Sequence, residues 1–479
     1  RSGVLMIDGI ELNTTGGHYA VMDLPVSPYP LAGTPEDVIE DVHRLGGLGI
    51  AAHPGSPRPS LSWQEWTVPF DGLEWINADS EWRDESGVPL ARAILTYPFR
   101  APQSMATLLD RPAAVLRQWD DMARHRRVIG LAGSDAHARL GFRQRTDPDM
   151  APFHVPLPAY ESSFRAFSNH VLLDAPPTGD AGADARRLID AVRVGRVYTV
   201  VDALATPGSL QFSASSGANA ASIGGILSIE GDVTLRAAVN GPAGTTIVLL
   251  RNGQRVHEVT GGALEFNGGH EPSGYRVEVY TTRVSGGPAV PWIVSNPIYA
   301  GLPPPPEAAW LTEPQSRIPA RTTEVAAERG PGESSAVTVT QLTETDSRTF
   351  TGDAAFAWTL ALSPGTPAGQ FAAAAIPIAG GIAGFDRVRF TVSSAAPMRV
   401  WVQLRAPVGN TERWGATFFT DGEVRTVDIP FARFRAIGVT SSAQPPLDRV
   451  DSLLFVADTL NTLPGSTGQI RIGDIGFVK

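Results

Sequence analysis

Three observations predict an α/β segment followed by all-β domains in this 479-residue chain. Strand-like and helix-like segments alternate over the first two hundred residues. Helical periodicity disappears after about residue 205. A four-proline run, Pro303 to Pro306, then separates two stretches of period-two alternation. The first pattern argues for a parallel sheet or βα barrel, the later ones for two β-sandwiches.

The elements follow in order. Val4-Leu5-Met6-Ile7 is an apolar run that ends in Asp8-Gly9-Ile10-Glu11, and His18 to Met22 is a second strand candidate. Thr34-Pro35-Glu36-Asp37 has the chemistry of a helix start: an N-cap hydroxyl, proline at the first position and acids in the first turn. Val38, Ile39, Val42 and Leu45 continue at helical spacing until Gly46-Gly47. Gly49 to Ala52 and Gly72 to Ile76 are strands. Pro112 opens a helix carrying Val115, Leu116, Trp119 and Met122. Val128 to Ala132 is a buried strand, and Ala185 to Val194 is a helix. Beyond residue 205, Val233 to Val239, Thr246 to Leu250 and Tyr275 to Tyr280 alternate, and Asn252-Gly253 marks a tight hairpin. From about residue 335, Arg387 to Val392, Met398 to Leu404 and Ile470 to Phe477 form a second alternating set.

Composition narrows the function. Hydrophobic residues make up 42% and charged residues 18%, with a net charge of −10 and no block of Lys or Arg. A nucleic-acid partner is not expected, because such partners need clustered cations. No apolar run reaches the roughly eighteen residues of a membrane span. There is no cysteine, so any metal must be held by His, Asp or Glu. Absent cysteine, two appended sandwiches and a proline spacer lead us to expect a periplasmic or extracellular location. The chain begins at Arg1 and enters an apolar pattern at Val4, from which we expect a processed start or residues upstream.

Ionisable ligand types gather where strands end. Glu11 follows the first apolar run, His53 follows Gly49 to Ala52, and Asp135 and His137 follow Val128 to Ala132. In a βα barrel the carboxyl ends of the strands open onto one face, and the active site is built there. Asp135 and His137 are two apart, so in extended backbone both point the same way. Nitrogen and oxygen donors without sulfur suit Zn, Mn or Fe. Two such ions bridged by a carboxylate generate a hydroxide nucleophile near neutral pH.

The ordered set Gly9-Ile10-Glu11, Gly17-His18, Ala52-His53-Pro54-Gly55 and Gly133-Ser134-Asp135-Ala136-His137 resembles the later motifs of the polymerase and histidinol phosphatase (PHP) superfamily. Arg193-Val194-Gly195-Arg196-Val197-Tyr198 is similar to the segment that closes the catalytic domain in its carbaryl-hydrolase branch. The resemblance implies a partial, distorted TIM-like βα barrel over residues 1–205. It implies a metal-bridging role for Glu11 and further metal ligation by His18, His53, Asp135 and His137, with Glu11 and Asp135 as the catalytic carboxylates. The activity implied is hydrolysis of a small-molecule ester, either a phosphoester or a carbamate or carboxylic ester, with two or three divalent ions in an intact parent. The family also opens with a His-x-His strand, and no His-x-His occurs in this chain. From that departure we expect an N-terminally incomplete domain, a partial ligand set, substoichiometric metal and little hydrolysis.

Domains follow at 206–301, an immunoglobulin-like sandwich; 302–334, a proline-rich linker; and 335–479, which resembles a galactose-binding-like jelly roll. Glu74 and Asn77 end a strand on the ligand-bearing face and are candidates to orient ligands. Arg139, Arg143 and Arg145 are candidates to bind an anionic substrate. Trp401, Trp414, Phe418 and Phe419 are weighed as a sugar-stacking platform against core packing. A glycan at the C-terminal domain is therefore the partner in the alternative reading, that of a non-catalytic glycan-binding or scaffold protein with a degenerate PHP domain.

Overall fold

A computed structural model describes residues 3–85, 87–138, 140–141, 154–155, 157–281, 290–302, 318–319, 325–329, 336–341, 356–364, 370–407 and 411–479. Two compact units divide the chain. One comprises Arg1–Pro25 and Thr34–Glu307, the other Val26–Gly33 and Ala308–Lys479.

The first unit opens with a hairpin, β1 (Gly9–Thr14) and β2 (Gly17–Met22), then α1 (Pro35–Leu45), β3 (Leu48–Ala51) and β4 (Gly72–Asn77). The helices α2 (Ala78–Asp84), α3 (Gly87–Thr96), α4 (Ala101–Ala106) and α5 (Ala113–Ala123) precede β5 (Ile129–Gly133). These five strands form an open sheet in the order β1-β2-β3-β4-β5. β1, β2 and β3 are antiparallel, and β3, β4 and β5 are parallel. A closed barrel is not formed among the described residues. Val4 to Ile7, expected as the first strand, lies outside the sheet, and Val4 and Met6 are exposed. The strand begins instead at Gly9, because a turn fixes it from the far end. Thr14 Oγ1 accepts from Gly16 N and donates to Gly17 O, and Gly17 adopts φ 125°, where a Cβ would meet Ser62 O at 2.9 Å.

The helix expected after Thr34 forms as its sequence dictates. Thr34 Oγ1 accepts from Asp37 N, and Gly46 closes the helix at φ 84°. Val38, Ile39 and Val42 are buried. A two-stranded ladder, β6 (Leu140–Gly141) with β7 (His154–Val155), α6 (Tyr160–Phe164), β8 (Ser168–Val171), α7 (Ala181–Arg193) and β9 (Val197–Val200) follow.

Ten further strands complete the unit: β10 (Ser209–Ser216), β11 (Asn219–Ser222), β12 (Ile226–Leu227), β13 (Thr234–Asn240), β14 (Thr246–Arg251), β15 (Gln254–Thr260), β16 (Ala263–Asn267), β17 (Ser273–Tyr280), β18 (Ile293–Ser295) and β19 (Ile298–Ala300). One sheet runs β11-β10-β13-β16. The other runs β12-β19-β17-β18-β9-β8, with β14 and β15 added beside β17. Leu210, Phe212, Leu235, Ile247, Val277 and Trp292 pack into one apolar core. The ladder of β18 on β9 joins residues 197–200 to this sheet, and all four are buried. Asn252 and Gly253, at φ 50° and 78°, make the expected hairpin between β14 and β15.

In the second unit the strands are β20 (Ile318–Pro319), β21 (Ala326–Arg329), β22 (Ala336–Gln341), β23 (Phe356–Ala361), β24 (Phe371–Pro377), β25 (Arg387–Ser394), β26 (Met398–Ala406), β27 (Glu412–Thr420), β28 (Arg425–Pro430), β29 (Arg435–Ile437), β30 (Ser452–Asp458) and β31 (Thr467–Val478). They build two sheets, β22-β23-β31-β25-β28 with β20 on β31, and β21-β24-β30-β26-β27-β29. Phe356, Trp358, Phe390, Val402, Trp414 and Phe455 fill the core of this sandwich.

Candidate functional site

Three consecutive parallel strands place their carboxyl ends on one edge, and the hairpin adds to the same edge. His18 lies opposite Asn13 in the β1–β2 ladder, so Glu11 is its diagonal neighbour on one face. Ala52 N donates to His18 O at 3.0 Å, which sets His53 one residue further on. Glu11 is thus not at a strand end, as the sequence suggested, but within β1. The antiparallel partner, rather than a chain terminus of the strand, brings it to the edge.

Glu11, His18 and His53 present ligand atoms that all lie within 4.8 Å of one another. His18 Nδ1 is hydrogen-bonded to Glu11 Oε1, and His53 Nε2 is 3.3 Å from the same oxygen. The two imidazole rings meet edge to face at 5.0 Å. Asp135 and His137 fall together in a second group with Asp79, at the same separation. His137 Nδ1 is 3.3 Å from Asp135 Oδ1.

Charge ties the groups together. Hydrogen bonds from His18 and then His53 hold the Glu11 carboxyl far below the usual carboxylate range. Burial works against a charged His53, yet the bond to Glu11 and the charges of Asp135 and Glu74 raise its pKa overall. Burial raises Asp135, with the His137 charge opposing and those of Asp79 and Glu11 adding to it. Glu11, His53 and Asp135 therefore feel one another, as a single polar centre does. His53 and Asp135 also adopt left-handed backbone, at φ 31° and 42°. Such strain in non-glycine residues concentrates at functional sites.

Glu74 is the support. Its Oε2 accepts from His53 N at 2.7 Å and from Asn77 Nδ2 at 2.8 Å. Burial pushes its carboxyl up to about 7. Gly133 must be glycine, because a Cβ there would lie 1.8 Å from Glu74 Oε1. The motif's leading glycine thus makes room for the carboxylate that fixes His53. Of the two candidates for orientation, Glu74 bonds the His53 backbone directly, and Asn77 bonds Glu74 and caps α2.

The donors fit a divalent cation. They are imidazole nitrogen and carboxylate oxygen, and His53 Nδ1 is a buried polar atom with no hydrogen-bond partner. A cavity of about 320 Å³ opens beside His53, its wall including Glu74, Asn77, Glu81, Asp110 and Arg111. Asp79, which the sequence reading missed, stands two residues beyond β4 at the same edge. Its signal was its place after a strand, the same signal that singled out Asp135. Arg139, Arg143 and Arg145 lie outside the described residues, as does the side chain of His154. Of the remaining histidines, His43 pairs with Asp71 and His170 with Ser168.

In the second unit the four aromatics part company. Trp414 and Phe418 are in the sandwich core, whereas Trp401 and Phe419 face the other way. Trp401 packs partly buried on Ala373, Ala375, Leu454 and Val456, and its Nε1 donates to Asp458 Oδ1 at 3.3 Å.

No family model matches the chain, and no curated protein does. Among solved structures, the chain is similar to the family 11 carbohydrate-binding module of a cellulosomal cellulase of Clostridium thermocellum, at 18% identity, 34% of this chain, 94% of that one and a TM-score of 0.27. It is also similar to a family 30 carbohydrate-binding module (11%, 32% and 88%, TM-score 0.22). A third is a family 61 module solved in complex with β-1,4-galactotriose (13%, 33% and 92%, TM-score 0.21).

Proposed function

We propose that the edge cluster holds divalent metal and that the chain is a metal-dependent hydrolase of a small-molecule ester, of the PHP type. The observation that carries this reading is the meeting of Glu11 and His18, from the two strands of the hairpin, with His53, just beyond β3, all ligand atoms lying within 4.8 Å. On this reading the open sheet is a partial, distorted TIM-like barrel. Glu11 and Asp135 supply carboxylate oxygen, and His18, His53 and His137 supply nitrogen. A divalent cation bound there supplies Lewis acidity and makes water a competent nucleophile near neutral pH. Glu74 holds the His53 backbone, so that the imidazole keeps its aim. The same centre serves a phosphoester or a carbamate or carboxylic ester. A panel of p-nitrophenyl phosphate, phosphodiester, carbamate and acetate, run with Mn²⁺ and Zn²⁺, separates them. We expect metal-dependent turnover of one class and its loss in His53→Ala. Absence of turnover for every class in metal-loaded protein would refute the catalytic reading.

A second reading has its own observation, the outward face of the β24-β30-β26-β27 sheet. Trp401 lies there beside Asp458, and Gln403 Oε1 is buried there without a partner. An aromatic ring flanked by polar groups suits a sugar, whose apolar face stacks and whose hydroxyls need partners. This supports a glycan-binding role for the second unit, and with it a periplasmic or extracellular location. Affinity electrophoresis in soluble polysaccharides tests it: retardation lost in Trp401→Ala supports the role, and identical mobility in every polysaccharide rejects it.

A further inference from the structure

α3 is amphipathic in reverse. A helix on a folded unit turns its apolar stripe inward and its charges to water. Of the ten residues of α3, only Ala93 is buried. Val88, Arg92 and Leu95, at i, i+4 and i+7, share the outward face. There Val88 is 80% and Leu95 74% exposed, and Arg92 between them is exposed too. Phe99, in the turn that follows, is 87% exposed. A second element adds apolar surface. Tyr97 Oη accepts from Ala159 N at 2.7 Å and shares a hydrogen bond with Ser162 Oγ at 2.6 Å, which ties α6 alongside. The α6 rings of Tyr160 and Phe164 stack at 6.1 Å, and both are more than half exposed. Charge identifies what suits this face. The chain carries 49 Asp and Glu against 39 Lys and Arg. Yet residues 87–109 contain no acid, and their only charges are Arg92 and Arg100. Both are exposed, and neither guanidinium has a hydrogen-bond or ion-pair partner among the described residues.

We propose that α3 and the turn after it dock onto the surface of an anionic phospholipid bilayer, with Val88, Leu95 and Phe99 entering the headgroup boundary and Arg92 and Arg100 meeting lipid phosphates. Apolar side chains interleaved with arginine on one exposed helix face are the pattern of interfacial helices. Guanidinium groups suit phosphate, and an anionic leaflet attracts each of them within a Debye length. A second copy of the chain fits worse. A two-fold pairing of this face sets arginine against arginine, with no acid from either side. Ten residues of helix span about 15 Å, half of a bilayer's hydrocarbon core, so α3 lies on the surface and does not cross. This docking goes beyond the hydrolase reading and holds with or without bound metal.

The test is co-sedimentation of the full chain with vesicles of phosphatidylcholine alone and of an equal mixture of phosphatidylcholine and phosphatidylglycerol, at low and at high salt. Wild type is compared with the double variants Arg92→Gln/Arg100→Gln and Leu95→Ser/Phe99→Ser. All four positions are exposed, and melting confirms that each variant is folded. Wild type should bind the mixed vesicles and lose much of that binding at high salt. The arginine double variant should bind them roughly tenfold more weakly, or worse. The apolar double variant should bind neither vesicle detectably. A wild type that stays in the supernatant with mixed vesicles overturns the proposal. So does binding that the apolar double variant leaves unchanged. Equal binding to both vesicles, indifferent to the arginine double variant, overturns the anionic surface as the partner. A wild-type dimer in light scattering that the apolar double variant dissociates, with no vesicle binding, gives the face to a second copy and overturns it as well. Should the apolar double variant not fold, the arginine double variant decides alone: affinity for mixed vesicles equal to wild type overturns the assignment.

Discussion

Glu81 shows how the cavity beside His53 is tuned. Its side chain is 7% exposed, its Oε2 accepts from Asp110 N at 2.9 Å, and Asp84, Glu85 and Asp110 place further negative charge around it. Burial first, and those charges next, push its pKa up to about 8 from an ordinary 4.5. The folded chain therefore holds a proton that the unfolded chain has lost between these values, so folding stability falls as pH rises from about 4.5 through about 8. Glu81→Gln keeps an acceptor for Asp110 N and removes the titration. The variant should match wild type near pH 4 and exceed it by roughly 1–3 kcal/mol above pH 8. Urea melts at both pH values check this, and equal stability offsets at both would show that Glu81 does not titrate in the fold. At this scale the ligand types were legible because His53, Asp135 and His137 follow strands within short glycine-bearing motifs. Asp79 was not, since a lone acid in a helix's first turn looks like ordinary complement to the helix dipole. Left-handed backbone at His53 and Asp135 has no sequence signal at all, because neither residue type requires it.

Among the elements, α5 and β17 are joined by a buried ionic network that no spacing in the sequence announces. Arg276 donates to both Asp120 oxygens, at 2.6 and 2.7 Å, and to Glu278 Oε1 at 2.6 Å. Arg111 adds two bonds to Glu278. Removing one partner of such a pair strands a charge. Arg276→Ala should cost about 3–5 kcal/mol, and much of that should return in Arg276→Met paired with Asp120→Leu. Denaturant unfolding of the single and double variants decides this; a single variant within 1 kcal/mol of wild type, against that expected cost, would mean water already reaches the network. For α1, loss of the Thr34 cap in Thr34→Ala should cost about 1 kcal/mol. That helix was readable from both ends, since its cap, proline, acids and closing glycine act locally. The opening strand was misplaced for the complementary reason. Val4 to Ile7 is apolar, but strand position depends on the partner, and the Thr14–Gly17 turn sets the β1–β2 register.

For the molecule as a whole, an α/β beginning and two β-rich regions were legible from periodicity, because burial against a core imposes period 3.6 or period 2 on any sequence. The path of the sheets was not. Parallel pairing of β3, β4 and β5 brings three strand ends together, whereas the antiparallel hairpin supplies Glu11 and His18 from the other direction. Likewise the pairing of β9 with β18 carries the sandwich sheet across residue 205, where texture alone suggested a boundary. Long-range pairing of this kind leaves no local trace. The functional account stands or falls on whether Glu11, His18 and His53 bind one ion together. Anomalous diffraction from crystals soaked in Mn²⁺ or Zn²⁺ reads this directly. The account predicts a peak at coordination distance, roughly 2.0–2.2 Å, from a Glu11 oxygen and from nitrogens of His18 and His53. Metal-saturated crystals with no peak at that edge, and with the Glu11–His18 hydrogen bond intact, would contradict it.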